Sequence, residues 1–184
     1  GDATIRKPAR MALSLLWACG EAWEDHLPPV QFLQDEERLA LKTQLEKSIN
    51  TPYTSSMGRL FDAVSALLDV RQAISYEAQA AIELETLADP HAMGYYPWQI
   101  EGENIEIKPL LISILADIQQ GSRASLIAGK FHNTIARMSL EIALDLQDKH
   151  GFEQFILSGG VWQNQLLLEK TIQLMKEHGL QPLI

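Results

Sequence analysis

A chain of 184 residues, 46% hydrophobic and 21% charged, is long enough for one domain with a sizeable core, or for part of a larger one. Its formal net charge of -9 argues against a nucleic-acid phosphate backbone as the main partner, but it does not bar a small anion held by backbone N–H groups. No apolar run reaches the roughly 18 residues that span a bilayer, so neither a transmembrane helix nor a membrane partner is expected.

The single cysteine, Cys19, lies in the apolar stretch Leu15-Leu16-Trp17-Ala18-Cys19. It reads as a small buried hydrophobe, and an intramolecular disulfide is impossible. With no basic-then-apolar leader at Gly1-Asp2, this cysteine usage fits the reducing cytoplasm.

In chain order the pattern is mostly helical. Met11, Leu15 and Leu16 form a first helical stripe that fades by Gly20 and closes before Pro28-Pro29. Asp35 to Lys47, with Leu39, Leu41 and Leu45, predicts an amphipathic surface helix capped by Asp35. Ser55-Ser56-Met57 introduces a stronger helix with Leu60, Phe61, Val64, Leu67 and Leu68 on one broad face. A further helix is expected from about Tyr76 to Leu87. The period then changes: Trp98, Ile100, Ile105 and Ile107 alternate with polar residues around Glu101-Gly102-Glu103-Asn104, which predicts a β-hairpin between Trp98 and Ile107. Pro109 opens a helix carrying Leu110, Leu111, Ile114, Leu115 and Ile118. The longest helix is expected from Ser122 to Lys149, with Phe131, Ile135, Met138, Ile142 and Leu146 on one face. Phe152 to Leu157 is a short buried strand, Gln163 to His178 a last helix stopped by Gly179, and Gln181 to Ile184 a final strand. The fold class is therefore α/β and helix-dominated, with short strands and a hairpin. Residues 1–184 are read as a single partial domain, cut at both ends.

Two segments carry candidate chemistry. In Phe155-Ile156-Leu157-Ser158-Gly159-Gly160-Val161-Trp162-Gln163-Asn164 a strand runs through glycines into a helix. Small residues there let a ligand approach the backbone, and a helix start favours phosphate. Asn164, in the first turn, is placed to reach the same ligand. A strand-to-helix turn also needs glycine for its own sake, so both readings stand. In Thr54-Ser55-Ser56-Met57-Gly58-Arg59-Leu60-Phe61-Asp62-Ala63, Gly58 costs a helix up to about 1 kcal/mol relative to alanine, which points to close packing or ligand contact. Asp62 is either a surface aspartate or a carboxylate that accepts hydrogen bonds from a ribose. The histidines His26, His91, His132, His150 and His178 include no i, i+4 pair for a metal. His132, beside Phe131, reads as structural or solvent-facing.

Together these segments resemble the HypF-type carbamoyltransferase family. The resemblance runs from Gly1-Asp2-Ala3-Thr4-Ile5-Arg6-Lys7-Pro8 through the Thr54–Ala63 segment, Ser75-Tyr76-Glu77-Ala78-Gln79-Ala80-Ala81 and Phe131-His132-Asn133 to Ser158-Gly159-Gly160-Val161-Trp162-Gln163-Asn164. It implies a partial actin-like ATPase module, similar to threonylcarbamoyl-transferring enzymes. The family makes carbamoyl-adenylate from carbamoyl phosphate and ATP and passes the carbamoyl group to the C-terminal cysteine of its partner HypE, toward the cyanide ligands of [NiFe]-hydrogenase. The resemblance places Gly159, Gly160, Val161 and Asn164 at the phosphate or adenosine and Asp62 on the ribose, with Gly58 letting its helix pack close to that ligand. It implies no catalytic residue or metal ligand within this chain; the family's His-x-x-x-His metal motif and its Asp-Gly-Gly segment fall outside it. Where the family has Tyr-Glu-Gly-Gln, this chain has Tyr76-Glu77-Ala78-Gln79.

The leading expectation is thus a carbamoyltransferase fragment with a partial adenylate site, inactive alone, whose partners are HypE, the rest of a HypF chain and its own copies. The alternatives are a non-catalytic helical protein-interaction module and a fragment of another actin-like kinase.

Overall fold

The computed structural model describes residues 5–102 and 104–184. Gly1-Asp2-Ala3-Thr4 of the opening segment and Glu103 of the expected hairpin turn lie outside the described residues. The chain folds as two compact units, Gly1–Thr86 and Leu87–Ile184, each with its own buried side chains.

In the first unit, helix α1 (Pro8–Ala18) starts on a proline and buries Ala9, Ala12, Leu13, Leu15 and Leu16. Proline suits this position because the first helical N–H has no intrahelical partner to lose. A five-residue helix α2 (Pro28–Phe32), not foreseen in the sequence, follows by the same device. Helix α3 (Asp35–Glu46) begins one residue differently from expectation, because Gln34 and not Asp35 is its N-cap. Asp35 is the first helical residue and pairs with Arg38. With Glu36 and Glu37 it puts three carboxylates in the first turn, where they complement the positive helix end. Only Leu41 of α3 is buried. Its hold on α1 is polar: Glu37 meets Lys7 Nζ at 2.7 Å and Arg10 Nη1 at 3.0 Å. Helix α4 (Met57–Leu67) is buried continuously from Leu60 to Leu67 and packs along α1. Its burial extends well beyond the one face expected. Cys19, just past the end of α1, is buried, as the sequence suggested.

Helix α5 (Gln79–Leu87) starts three residues later than its composition suggests. The cause is Ala78, whose φ of +61° is left-handed and incompatible with continuing a right-handed helix backwards.

The second unit holds the expected hairpin, β1 (Gln99–Glu101) with β2 (Asn104–Glu106), paired antiparallel in the register Ile100 to Ile105. Helix α6 (Lys108–Gln119) buries Leu110, Leu111 and Ile114. The 27-residue α7 (Ala124–His150) ends on Gly151 in the left-handed conformation. Its stripe runs through Phe131, Ile135 and Met138 as expected, then turns to Leu140 and Ala143, which leaves Ile142 exposed. Strand β3 (Gln154–Ile156) pairs in parallel with β4 (Gln181–Leu183). Between them lie a 3-10 helix (Gly160–Gln163) and α8 (Gln165–Glu177). Leu140, Ala143, Leu157, Met175 and Leu180 make the core of this end, with Phe155, Trp162, Leu168 and Ile172 packed on it.

Candidate functional site

In the first unit, three segments wall a cleft of about 780 Å³. Ile5 and Arg6 form one side, Thr54, Ser56 and Arg59 a second, and residues 74–78 the third. Backbone bonding holds the walls: Ile74 N–H donates to Arg6 O at 3.0 Å. The third wall is fixed from below by a chain of side chains. Gln79 Oε1 accepts from the Ser75 N–H at 2.8 Å, and Gln79 Nε2 donates to Glu83 at 2.9 Å. Glu83 in turn accepts a two-pronged contact from Arg71, both bonds at 2.7 Å. Bidentate pairs of this kind fix orientation as well as charge. The Arg71 guanidinium lowers the Glu83 pKa and keeps it ionised.

Among the described residues the lining carries Arg6 and Arg59 with one carboxylate, Glu77, and hydroxyls from Thr54, Ser56, Ser75 and Tyr76. Two guanidiniums with hydroxyl donors suit a phosphate or another oxyanion. Asp62 stands behind this wall. It is 1% exposed, which removes the surface reading, and its Oδ2 lies 2.7 Å from Arg59 Nη1. The contact has ion-pair distance without hydrogen-bond alignment. Burial pushes the Asp62 pKa up to about 6, with Arg59 opposing the shift. Asp62 therefore acts on the cleft through Arg59. Gly58 is not needed for packing, since a Cβ there meets only Ser56 Oγ, at 3.6 Å.

In the second unit, Gly159, Gly160 and Val161 form the turn that leaves β3, and both glycines are exposed. Gly159 has φ +97° and ψ 173°, a region essentially closed to residues with a Cβ. A side chain at Gly160 meets nothing within 4 Å. The turn enters the four-residue 3-10 helix, and α8 starts only at Gln165. Asn164 is the N-cap of α8, one position before the first turn expected for it. Its Oδ1 accepts from the Leu167 N–H at 2.8 Å, satisfying one of the helix-end donors. Asn164 Nδ2 contacts His132 Nε2 at 3.0 Å. His132 is fully buried, and that burial depresses its pKa to about 4. A solvent-facing role for His132 is thereby excluded. Asn133, beside it, donates to the carbonyls of Ala92 and Gly94 at 2.8 and 2.9 Å.

Sequence reasoning placed Gly159 and Gly160 in a turn and Asn164 in the first turn of the last helix; in the structure Gly160 and Val161 open the 3-10 helix and Asn164 caps α8. That reasoning missed Arg6 and Arg59. The signal for Arg59 was present in its i, i+3 spacing to Asp62. Arg6 gave no such signal, because it enters the cleft only through the pairing of its backbone with Ile74.

Residues 1–184 match the family model for the second subdomain of the carbamoyltransferase Kae1-like domain. The chain is 32% identical over 198 residues to carbamoyltransferase HypF of Synechocystis sp., covering 97% of this chain and 25% of that protein. It is 31% identical over 194 residues to a carbamoyltransferase HypF homolog of Cupriavidus necator, covering 100% of this chain and 49% of the relative. The crystal structure of full-length HypF in the phosphate- and nucleotide-bound form superposes with a TM-score of 0.88 at 33% identity, over 98% of this chain and 29% of the other. HypF of T. kodakarensis superposes with a TM-score of 0.80 at 30% identity, over 98% and 25%. The chain therefore spans about a quarter to about a half of the length of these relatives. The helix-dominated α/β architecture with a small hairpin fits the Kae1-like, actin-like module that the sequence suggested.

Proposed function

This chain belongs to the family of the second subdomain of the carbamoyltransferase Kae1-like domain, and we propose that, within a longer protein, it supplies nucleotide-holding walls of a carbamoyl-transfer site. The reaction proposed for that whole protein begins with carbamoyl phosphate and ATP and proceeds through carbamoyl-adenylate. The thiolate of the C-terminal cysteine of HypE then attacks the carbamoyl carbon. A C–S bond forms, the C–O bond to the adenylate phosphate breaks, and AMP leaves with the electron pair. Negative charge accumulates on the leaving phosphate, which is where fixed cations and N–H donors lower the barrier most.

The observation that carries this reading is the cleft with Arg6 and Arg59 on its walls and the Asp62 carboxylate buried behind Arg59. The arginines hold phosphate oxygens, and Asp62 keeps the Arg59 guanidinium in place. In the second unit, taken by itself, Gly159, Gly160 and Val161 offer exposed backbone that suits a phosphate or adenosine, with Asn164 fixing the turn. Polarisation of the carbamoyl carbonyl falls to parts of the longer protein, so the chain alone transfers nothing. No helix among the described residues is long and apolar enough to cross a membrane, and a cytoplasmic setting is part of the proposal.

Calorimetric titration of the chain with ATP and with a non-hydrolysable acyl-adenylate tests it, alongside Arg59→Ala, Asp62→Ala and Asn164→Ala. Weak binding that falls about tenfold in each variant, the equivalent of about 1.4 kcal/mol, is the expected result. Well-folded protein that ignores adenine nucleotides would return the chain to the interaction-module reading.

A further inference from the structure

The buried contact between α7 and the start of α8 assigns a task to a residue outside the turn itself. His132 Nδ1 lies 2.8 Å from the carbonyl oxygen of Ala128, one turn back along α7. A carbonyl oxygen only accepts, so Nδ1 carries the proton. Burial keeps the ring neutral near pH 7. Nε2 is then an acceptor, and at 3.0 Å it takes an N–H of Asn164 Nδ2. With that amide nitrogen turned to the histidine, Asn164 Oδ1 faces the Leu167 N–H at 2.8 Å. One protonation state and one amide orientation satisfy all three bonds. Flipping the amide sets donor against donor at Leu167 and lone pair against lone pair at His132, in a site where Asn164 is 9% and His132 0% exposed. Buried, unsatisfied pairs of this kind are costly.

The consequence reaches the glycine turn. Asn164 is the hinge between the 3-10 helix and α8, and its N–H donates to Val161 O at 3.2 Å. Fixing the Asn164 side chain therefore fixes the backbone on which Gly159, Gly160 and Val161 sit. We propose that His132 is a positioning residue, whose Nε2 acceptor sets the Asn164 amide and so holds the Gly159–Asn164 turn in its nucleotide-receiving form. This rests on the reading of that turn as a nucleotide contact.

Two substitutions separate positioning from simple core filling. His132→Asn keeps a donor near the Nδ1 position for Ala128 but removes the acceptor facing Asn164. His132→Gln places an amide oxygen near the Nε2 position and restores that acceptor. Two readouts are followed in each: amide exchange at Leu167, and the affinity for ATP. In His132→Asn, Leu167 exchange should quicken about tenfold and ATP affinity fall about tenfold, as expected for one lost buried hydrogen bond. His132→Gln should return both to within about threefold of the native chain. If both variants match the native chain in both readouts, the positioning role is overturned.

The two ideas fail differently. If native protein does not bind ATP while Leu167 exchange still follows the Asn/Gln pattern, the nucleotide reading falls and the positioning of Asn164 stands. If the variants do not fold, the native imidazole ¹⁵N spectrum decides the matter. A proton on Nδ1 and a bare Nε2 are required, and the opposite tautomer would overturn the proposal.

Discussion

Ala78 lines the cleft of the first unit with φ +61°, a backbone state that costs a non-glycine residue about 1–2 kcal/mol. Glycine there removes that cost but adds about 0.5–1 kcal/mol of unfolded-chain entropy. Ala78→Gly should therefore stabilise the protein by about 0.5–1 kcal/mol, read by denaturant unfolding. A loss of stability would show that residues 74–78 do not hold this path. Gly159 is the opposite case. At φ +97° and ψ 173°, Gly159→Ala should cost about 1–3 kcal/mol and distort the turn.

Two buried ionisable groups give the units opposite responses to acid. His132 has its folded pKa lowered from 6.5 to about 4. The stability tied to its neutral form is complete above the unfolded value and is lost as pH falls from 6.5 towards 4, on the order of 3 kcal/mol in all. Asp62 has its folded pKa raised from 3.8 to about 6. Its contribution is complete below 3.8 and is lost as pH rises through 6. Between pH 6.5 and 4, opening free energies from hydrogen exchange should therefore fall around α7 and rise around α4. The same direction in both places would contradict one of the two assignments.

At the scale of the element, α7 meets the chain that precedes it with no room to spare. A Cβ on Gly129 falls 2.4 Å from Asp89 O and 2.5 Å from Ala92 Cβ. One contact is backbone, so relief requires moving residues 89–92, which are also tied by Asn133 to Ala92 O and by Lys170 to Pro90 O at 3.0 Å. Gly129→Ala gains about 1 kcal/mol of helix propensity against about 1–3 kcal/mol of overpacking. A net loss of up to about 2 kcal/mol is expected in thermal unfolding, and a stabilised variant would show the loop to be free to retreat. This glycine was not singled out in the sequence, because a mid-helix glycine does not reveal what packs on it.

The elements that read correctly from sequence are those with a sustained period, α4, α7 and the hairpin; β3 was placed correctly but read as buried, whereas Ile156 is 72% exposed. Those misjudged turn on single residues that no period reports. Ala78 delays the start of α5 through its φ, Asn164 sets the start of the last helix by capping it, and Ile142 lies off the buried stripe of α7. The candidate site divides in the same way. Its glycine turn is contiguous in sequence and was legible, whereas the cleft draws on residues 5–6, 54–59 and 74–78 and exists only after folding. Asp62 was legible as a candidate, but its place behind Arg59 was not.

For the molecule as a whole, the open question at the β3–β4 end is what covers its apolar surface. A two-stranded parallel sheet is marginal alone, because parallel sheets are ordinarily covered on both faces and their edges attract further strands. The core beneath it accounts for Phe155 and Leu157. Ile156 remains 72%, Ile184 81%, Phe152 52% and Leu183 45% exposed. Ile156 and Leu183 are partners across the strand pair, and with Phe152 and Ile184 near them in sequence they leave exposed apolar surface of the kind that finds a partner. In the isolated chain that partner is proposed to be a second copy, which sedimentation velocity should show as concentration-dependent association. The net charge of -9 opposes it, since two copies repel at low ionic strength. Raising salt from about 20 to about 300 mM shortens the screening length from about 20 Å to about 6 Å. Association driven by this patch should therefore tighten with salt, whereas association through charge pairs would loosen. Ile156→Glu places a carboxylate in the middle of the patch and should abolish association without altering α7 or α8. A chain that stays monomeric at every salt concentration would show that the patch needs no cover.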